Sequence, residues 1–529
     1  MDKIRNHRIV LIEYVFLVLC LAAVFFFMIP QVDVFWFSRA CDSSISEIIA
    51  YSLNYGNGRL LGNIIGVYFS HHFAFAWILV VVTLALIVVL LNGIFFSHSK
   101  YTVFPLAILV TFPSAGILEE CYVCFAAFAN FCLPILLIIV DIYIYISGVK
   151  CEKTAILATF MCVFSMSACL FSENTTVVSC VIACFILLDA IVDRRKKRLG
   201  ALYFVSTLAG AGIMFLIPVA TGTSYKMDGY RELKTRFIEV IENALGSYAR
   251  FSEVVNSFTL LIVLLSLALA TCLWKQTKRS KVDGVCAVVV GVYPIYSLLI
   301  RNYDYQAWYC AICHVGEMVA AIIYFSALVH IVCKIEEKEV RLRALAGCSV
   351  VLSSVLPMML VNQYGYRTYL TTYFSLLVLA LYLLRYAVDM VRIEDRVQLL
   401  SKGAGVIASG VVFAFVCAFL SVEMLYNYNV YSVRTEYIAE QFTANSETIE
   451  IPFLPFRALT VENRWPNVVG DWSEELKGRI KILDLSSCEN SDDYYQVLGN
   501  NLPLNLRRAM NHLEFRDPLY FERRIGNIS

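Results

Sequence analysis

Residues 73–96 read FAFAWILVVVTLALIVVLLNGIFF, an unbroken run with no charged side chain. As a helix rising about 1.5 Å per residue it is roughly 36 Å long, enough to cross the ~30 Å hydrocarbon core of a bilayer. Outward from it, apolar runs of about 17–22 residues recur to both sides, the length a spanning helix requires. They fall at 9–29, 73–96, 102–118, 124–147, 155–171, 177–192, 201–220, 254–274, 282–300, 310–333, 344–361, 369–388 and 404–421. Composition agrees: 59% of the 529 residues are hydrophobic and only 16% charged, with a mean hydropathy of +0.68. That balance excludes an ordinary soluble domain. The expected fold is an all-α polytopic membrane protein of about thirteen transmembrane helices over 1–421, followed by a polar segment, 422–529. The first run lacks a small-residue cleavage site and is followed by aromatics, so it reads as a retained helix rather than a signal peptide.

Basic residues set the orientation. Lys3, Arg5 and Arg8, then Lys100, Lys150, Lys153, Arg194 to Arg198, Lys275 to Lys281, Lys334 to Arg343 and Arg392 to Lys402 all fall on one set of loops. Cytoplasmic loops retain positive charge, which places these inside and sends the C-terminal segment outside. The formal net charge of +1 gives no reason to expect a nucleic-acid partner. Of the eighteen cysteines most lie within apolar runs, where Cys behaves as a small apolar residue, and Cys488 stands alone in the tail. No disulfide framework follows. Cys310-Ala-Ile-Cys313-His314 fits a c-type haem attachment pattern, but at the mouth of an apolar helix with no evident second ligand it reads as coincidence.

Polar residues gather on the outer side. The first outer loop, 30–72, opens with Asp33 within Gln31-Val-Asp-Val-Phe-Trp-Phe37. Ser44-Ile-Ser-Glu47 is a capping box that should open a helix reaching about Tyr55. Gly56-Asn57-Gly58 turns the chain, and a second amphipathic helix follows from Arg59 toward His71-His72. Such helices suit the membrane interface. Further outer loops carry Glu119-Glu120 at 118–123 and Glu173-Asn-Thr-Thr176 at 172–176. The loop 221–253 holds Lys226, Asp228, Arg231, Lys234 and Arg236, then an amphipathic pattern from Phe237. Arg301 and Asp304 come next, and Arg367 lies within Tyr364-Gly-Tyr-Arg-Thr-Tyr369. Taken singly, each is more ordinary as a solvated residue or part of an aromatic belt; their convergence on one face carries the argument. Glu317 is an acid within the tenth run, and Asp141 and Arg385, near inner ends, are expected to snorkel. In the tail, 430–443 reads as helix and Thr448-Ile-Glu-Ile451 as strand, ending at Pro452. The expectation is a small α+β extracytoplasmic domain.

A carboxylate at a water–lipid boundary can act as a general base toward a hydroxyl, and Arg or Lys beside it can hold a lipid-anchored phosphate. This layout resembles the GT-C superfamily of membrane glycosyltransferases, in which an acid sits in a long first outer loop containing two juxtamembrane helices. Asp33 occupies the matching place. Asn57-Gly-Arg-Leu-Leu-Gly-Asn63, Glu173-Asn-Thr175 and Arg464-Trp-Pro-Asn467 further resemble an uncharacterised bacterial multi-pass family described as glucosyltransferase-like. The resemblance implies a polyprenyl-phosphate-linked sugar donor, a glycan, lipid or polymer acceptor outside the bacterial cytoplasmic membrane, and membrane lipids as surroundings. It implies Asp33 as base, shared with or replaced by Glu119, Glu120 or Glu173, since many GT-C enzymes pair two acids where this chain has Val32 and Val34 beside Asp33. Asn57, Arg59, Lys226, Arg231, Arg301 and Arg367 become candidates for holding donor or phosphate. No metal-ligand set is evident and no cofactor is required, while a divalent cation is compatible with the chemistry. A transporter or lipid-linked glycan flippase, or a surface-polysaccharide polymerase or ligase, is the alternative.

Overall fold

The computed structural model describes residues 2–30, 37, 44–54, 58–147, 154–192, 197–220, 236–275, 280–300, 307–359, 365–391, 404–444, 449–452 and 480–483. They are overwhelmingly helical. In chain order the helices are α1 (Asp2–Phe25), α2 (Ile45–Asn54), α3 (Leu60–His71), α4 (Ala76–Phe96), α5 (Val103–Thr111), α6 (Ala115–Ile117), α7 (Phe125–Phe131), α8 (Leu133–Ser147) and α9 (Thr154–Ala168). There follow α10 (Glu173–Val192), α11 (Lys197–Ala220), α12 (Phe237–Asn256), α13 (Thr259–Trp274), α14 (Lys281–Ile300), α15 (Ala307–Cys333), α16 (Lys338–Ser353), α17 (Leu370–Val391) and α18 (Ala404–Thr443). Two short strands, β1 (Ile449–Pro452) and β2 (Ile480–Leu483), pair in parallel with Ile449 opposite Ile480.

Among the described residues, nine helices are long and apolar enough to cross a membrane. The chain is therefore a helical protein of the membrane type. A tenth crossing is added if a bent pair, Val103–Thr111 with Ala115–Val123, counts as one, and shorter apolar helices lie at Ile9–Phe25, Ala155–Ala168 and Thr259–Trp274. Their packed faces form one large apolar core, in which Leu17, Leu84, Val88, Phe125, Leu261, Leu377 and Phe413 are fully buried. A second cluster, built on Ile144, Met161, Ala183, Leu199 and Tyr203, joins α8, α9, α10 and α11.

Several expectations change here. The run 102–118 is not one straight helix: the bent pair turns by 71° at Phe112-Pro113-Ser114. Pro113 supplies no backbone N–H, and the Ser114 hydroxyl caps the new helix by accepting the Ile117 N–H at 3.3 Å. Glu119 and Glu120 then fall on a π-helical turn, Leu118–Val123, instead of a loop. Asp141 does not snorkel, being wholly buried, whereas Arg385 is half exposed and pairs with Asp389 at 3.0 Å. The helix begun near 404 continues unbroken to Thr443, with no Gly or Pro after Gly410 to stop it.

Other expectations hold. The Ser44 hydroxyl accepts the Glu47 N–H at 3.4 Å and α2 follows, as the capping box requires. The strand expected at 448–451 is β1. Gly58 makes the turn before α3 at φ +78°, and a Cβ there would stand 2.1 Å from the Met214 carbonyl oxygen, so no other residue fits without a shift. The amphipathic helix expected after Phe237 is α12. Its far half docks into the protein, where the Ser247 hydroxyl donates to the Met358 carbonyl at 2.8 Å and the Tyr369 hydroxyl donates to the Ser247 carbonyl at 3.2 Å.

The helix ends opposite Glu173 are also tied. Ser280 and Asp283 form a reciprocal capping box at the start of α14, and Asp283 also binds His330 at 2.8 Å and Lys334 at 3.1 Å near the end of α15. Between α4 and α5 the chain turns through Ser97 and His98, both left-handed at φ 51° and 58°. Buried Asn92 holds that turn. Its amide donates to the Tyr14 hydroxyl at 2.9 Å and the Ser99 carbonyl at 3.1 Å, and accepts from the Thr102 hydroxyl at 2.6 Å.

Candidate functional site

Arg59 stands immediately before α3, and Glu173 is the first residue of α10. A carboxylate suits a helix N-terminus, where backbone N–H groups leave positive potential; a guanidinium does not, and needs an anion beside it. The two meet. Both Nε and Nη2 of Arg59 donate to Glu173 Oε2, at 3.0 and 2.6 Å, with the side chains only 15% and 19% exposed. The guanidinium also lies over the Phe131 ring, 5.6 Å from its centre.

Backbone contacts bring these two helix starts together. The Leu61 N–H donates to the Leu170 carbonyl at 3.0 Å, which ties α3 to the turn between α9 and α10. Ser172 caps α10, with the Thr175 N–H donating to its hydroxyl at 3.4 Å. Gly62 permits the close crossing of α3 on α7, because a Cβ there would stand 2.1 Å from Asn130 Oδ1. Phe37, four residues after Asp33, packs its ring 3.2 Å from where a Gly66 Cβ would be, on the next turn of α3.

Glu119 and Glu120 come from the π-helical turn, a distortion often found at functional sites. Glu119 is buried. Glu120 Oε2 accepts the backbone N–H of Arg367 at 3.2 Å and presses on Gly365, where a Cβ would approach to 2.7 Å. The Tyr366 ring fills the space beside Gly116. One residue further, the Thr368 carbonyl accepts the buried Asn174 amide at 3.0 Å. Asn174 directly follows Glu173. A continuous chain of contacts thus runs Arg59–Glu173, Asn174–Thr368 and Arg367–Glu120, and it joins four segments that the sequence places on one side.

The structure therefore brings together Arg59, Glu120, Glu173 and Arg367, with Glu119 buried on the same turn as Glu120. Asp33, Asn57, Lys226, Arg231 and Arg301 lie outside the described residues, as does the Arg464-Trp-Pro-Asn467 stretch. Glu317 is buried in α15 within electrostatic reach of Tyr293, whose ring stacks on Tyr324 at 4.2 Å between centres. The pattern Cys310 to His314 lies within the helix α15. Among the described residues no three His, Cys, Asp or Glu side chains are grouped to hold a metal ion.

Asn174, Asn130, Gly62 and Gly116 were not among the expected site residues. Asn174 lies in the Glu173-Asn-Thr175 motif, but a buried amide bridging two loops has no local sequence signal. The glycines were readable only as permissive residues, since what presses on them comes from distant parts of the chain.

Chemically, the cluster offers cations that can bind an anionic oxygen beside carboxylates that can accept a proton. Its charges are partly desolvated, which strengthens each interaction relative to water. No family model, curated protein or solved structure matches this chain.

Proposed function

We propose that the protein is a glycosyltransferase of the bacterial cytoplasmic membrane, moving a sugar from a polyprenyl-phosphate carrier to an extracytoplasmic glycan, lipid or polymer. The observation that carries this reading is the chain of contacts that joins Arg59–Glu173 to Glu120–Arg367 through Asn174 and Thr368. It links two arginines and two carboxylates, and in this reading the arginines are the groups that meet the phosphate. In this reading the chain crosses the bilayer thirteen times, with the N-terminus inside and 422–529 outside as a small α+β domain. The β1–β2 pair supports that last point.

The reaction is a direct displacement. The acceptor hydroxyl oxygen bonds to the anomeric carbon as its proton passes to Asp33. The bond from that carbon to the phosphate oxygen breaks on the opposite face, and polyprenyl phosphate leaves with the electron pair. Configuration inverts. Glu119, Glu120 or Glu173 orients the acceptor or shares the proton. Arg59, Lys226, Arg231, Arg301 and Arg367, with Asn57 at the turn, are the groups from which the phosphate's partners are drawn; charge growing on the leaving phosphate is what such donors stabilise.

The test is release of polyprenyl phosphate by the purified protein from a polyprenyl-monophosphate sugar, compared with a diphosphate-linked oligosaccharide. Turnover of the monophosphate donor is expected. Asp33→Asn should lower it about 10²–10⁴-fold with donor binding retained, the range for loss of a general base. Unchanged turnover in that variant removes Asp33 from the chemistry, and preference for the diphosphate donor points to a polymerase or ligase. A transporter is the second reading, favoured by the 71° break beside Glu119 and Glu120, since transporters use discontinuous helices at their sites. Solute uptake into proteoliposomes without covalent change would select it.

A further inference from the structure

The helices α8 to α11 enclose a polar centre unrelated to the Arg59 cluster. Asp141, on α8, is 0% exposed, and neither of its carboxylate oxygens has a hydrogen-bond partner. Tyr203 on α11 and Ser179 on α10 are also buried, with hydroxyl oxygens that meet no partner in hydrogen-bond geometry, Thr207 being the polar neighbour of the Tyr203 hydroxyl. Tyr203 belongs to the same buried cluster as Ile144, one turn along α8 from Asp141, and Ala183, one turn along α10 from Ser179. The Asp141 carboxyl lies within electrostatic reach of both the Tyr203 hydroxyl and the Cys169 thiol, and Ser179 sits beside that thiol out of hydrogen-bond geometry. The thiol itself donates to the Thr207 carbonyl at 3.6 Å, one turn along α11 from Tyr203. Apolar side chains surround the group: Ile144, Met161, Ala183 and Ile186.

A buried carboxyl and two buried hydroxyls left without partners are costly, and such groups in a native interior call for an explanation, commonly a bound ion or water. An ionisable residue inside a membrane segment is likewise a functional site by default. Charge decides the ligand. One carboxylate balances one positive charge; a divalent ion would leave a net charge in an apolar surrounding, where isolated charge is most expensive. Hard oxygen donors, two from the carboxylate and two from hydroxyls, suit an alkali cation.

We propose that Asp141, Tyr203 and Ser179 form a binding site for a monovalent alkali cation between α8, α10 and α11. A polar route connects it to the helix ends opposite Glu173. Tyr145 lies one turn beyond Asp141 on α8, and its hydroxyl donates to Asp189 at 2.8 Å. Asp189 in turn faces Arg343 at 3.5 Å, and both are partly exposed. The site does not depend on the transferase reading.

Sodium is the probe. The unfolding midpoint of the full-length protein in detergent is measured against sodium, lithium, potassium and choline chlorides at constant ionic strength. A saturable rise with at least one alkali ion, absent with choline, is expected. Asp141→Asn should abolish the rise, and Tyr203→Phe and Ser179→Ala should each weaken apparent affinity about tenfold, within the range for loss of a metal-site partner. Binding of radioactive sodium to the wild-type protein, near one ion per chain where sodium gives the rise, keeps the test valid should Asp141→Asn fold poorly. Equal midpoints in all four salts overturn the proposal. So does a rise of the same size in a folded Asp141→Asn protein.

Discussion

At the scale of single residues, Arg59 and Glu173 show what a sequence reveals and what it hides. Asn57-Gly58-Arg59 was legible as a turn opening a helix, and Gly58 does adopt the left-handed backbone that such a turn demands. The partner was not legible, because it lies 114 residues away and only the crossing of α3 on the α9–α10 turn brings the two together. A desolvated pair has an asymmetric energy: removing one member strands the other, while replacing both with apolar residues does not. Glu173→Ala or Arg59→Ala alone should destabilise the protein by about 3 kcal/mol. Arg59→Met combined with Glu173→Leu should recover most of that stability and still lack transferase activity. Denaturant titration of the three variants in detergent, scored against donor turnover, tests this. Additive losses in the double variant would show that the pair is not coupled.

At the scale of elements, hydropathy located the helices well because a spanning segment must satisfy its backbone internally and expose apolar side chains. It located their interruptions poorly. The run 102–118 looked continuous because averaging apolar character passes over Pro113, yet Pro113 and Ser114 together hold the stop and start signals of the bent pair. The turn from α4 to α5 is a different failure. No glycine marks it, and the chain enters the left-handed region through Ser97 and His98 because Asn92 bonds its far side. A non-glycine residue there costs about 1–2 kcal/mol. Ser97→Gly should return part of this, raising stability by roughly 0.5–1 kcal/mol after the added freedom of the unfolded chain is counted. Asn92→Leu should have the opposite sign and be larger, since it removes all three bonds of a buried amide. A fall in thermal midpoint for Ser97→Gly would mean that the turn is not strained.

At the scale of the whole molecule, the helical class was legible from composition alone, and the grouping of Glu120, Glu173 and Arg367 was foreseen from loop order. Their linkage through Asn174 was not, since loops on one side of a membrane need not touch. The count of crossings fixes a parity: with thirteen, the two termini lie on opposite sides. A fluorescent protein fused to the N-terminus should therefore glow in living cells, and alkaline phosphatase fused at the C-terminus should be active. Termini on the same side would remove one crossing, and the bent pair Val103–Val123 would be the first segment to reassign as re-entrant.

The helix α18 has a mechanical meaning that its sequence position conceals. Its 40 residues make a rod about 60 Å long, roughly twice the thickness of the hydrocarbon it would cross. Without glycine or proline after Gly410 the rod has no built-in joint, and β1 starts six residues beyond its end. In the transferase reading proposed above, such a rod packed against α1 would act as a mast that carries the start of β1 clear of the bilayer. Acceptors would be sorted by their reach from that height as much as by their chemistry.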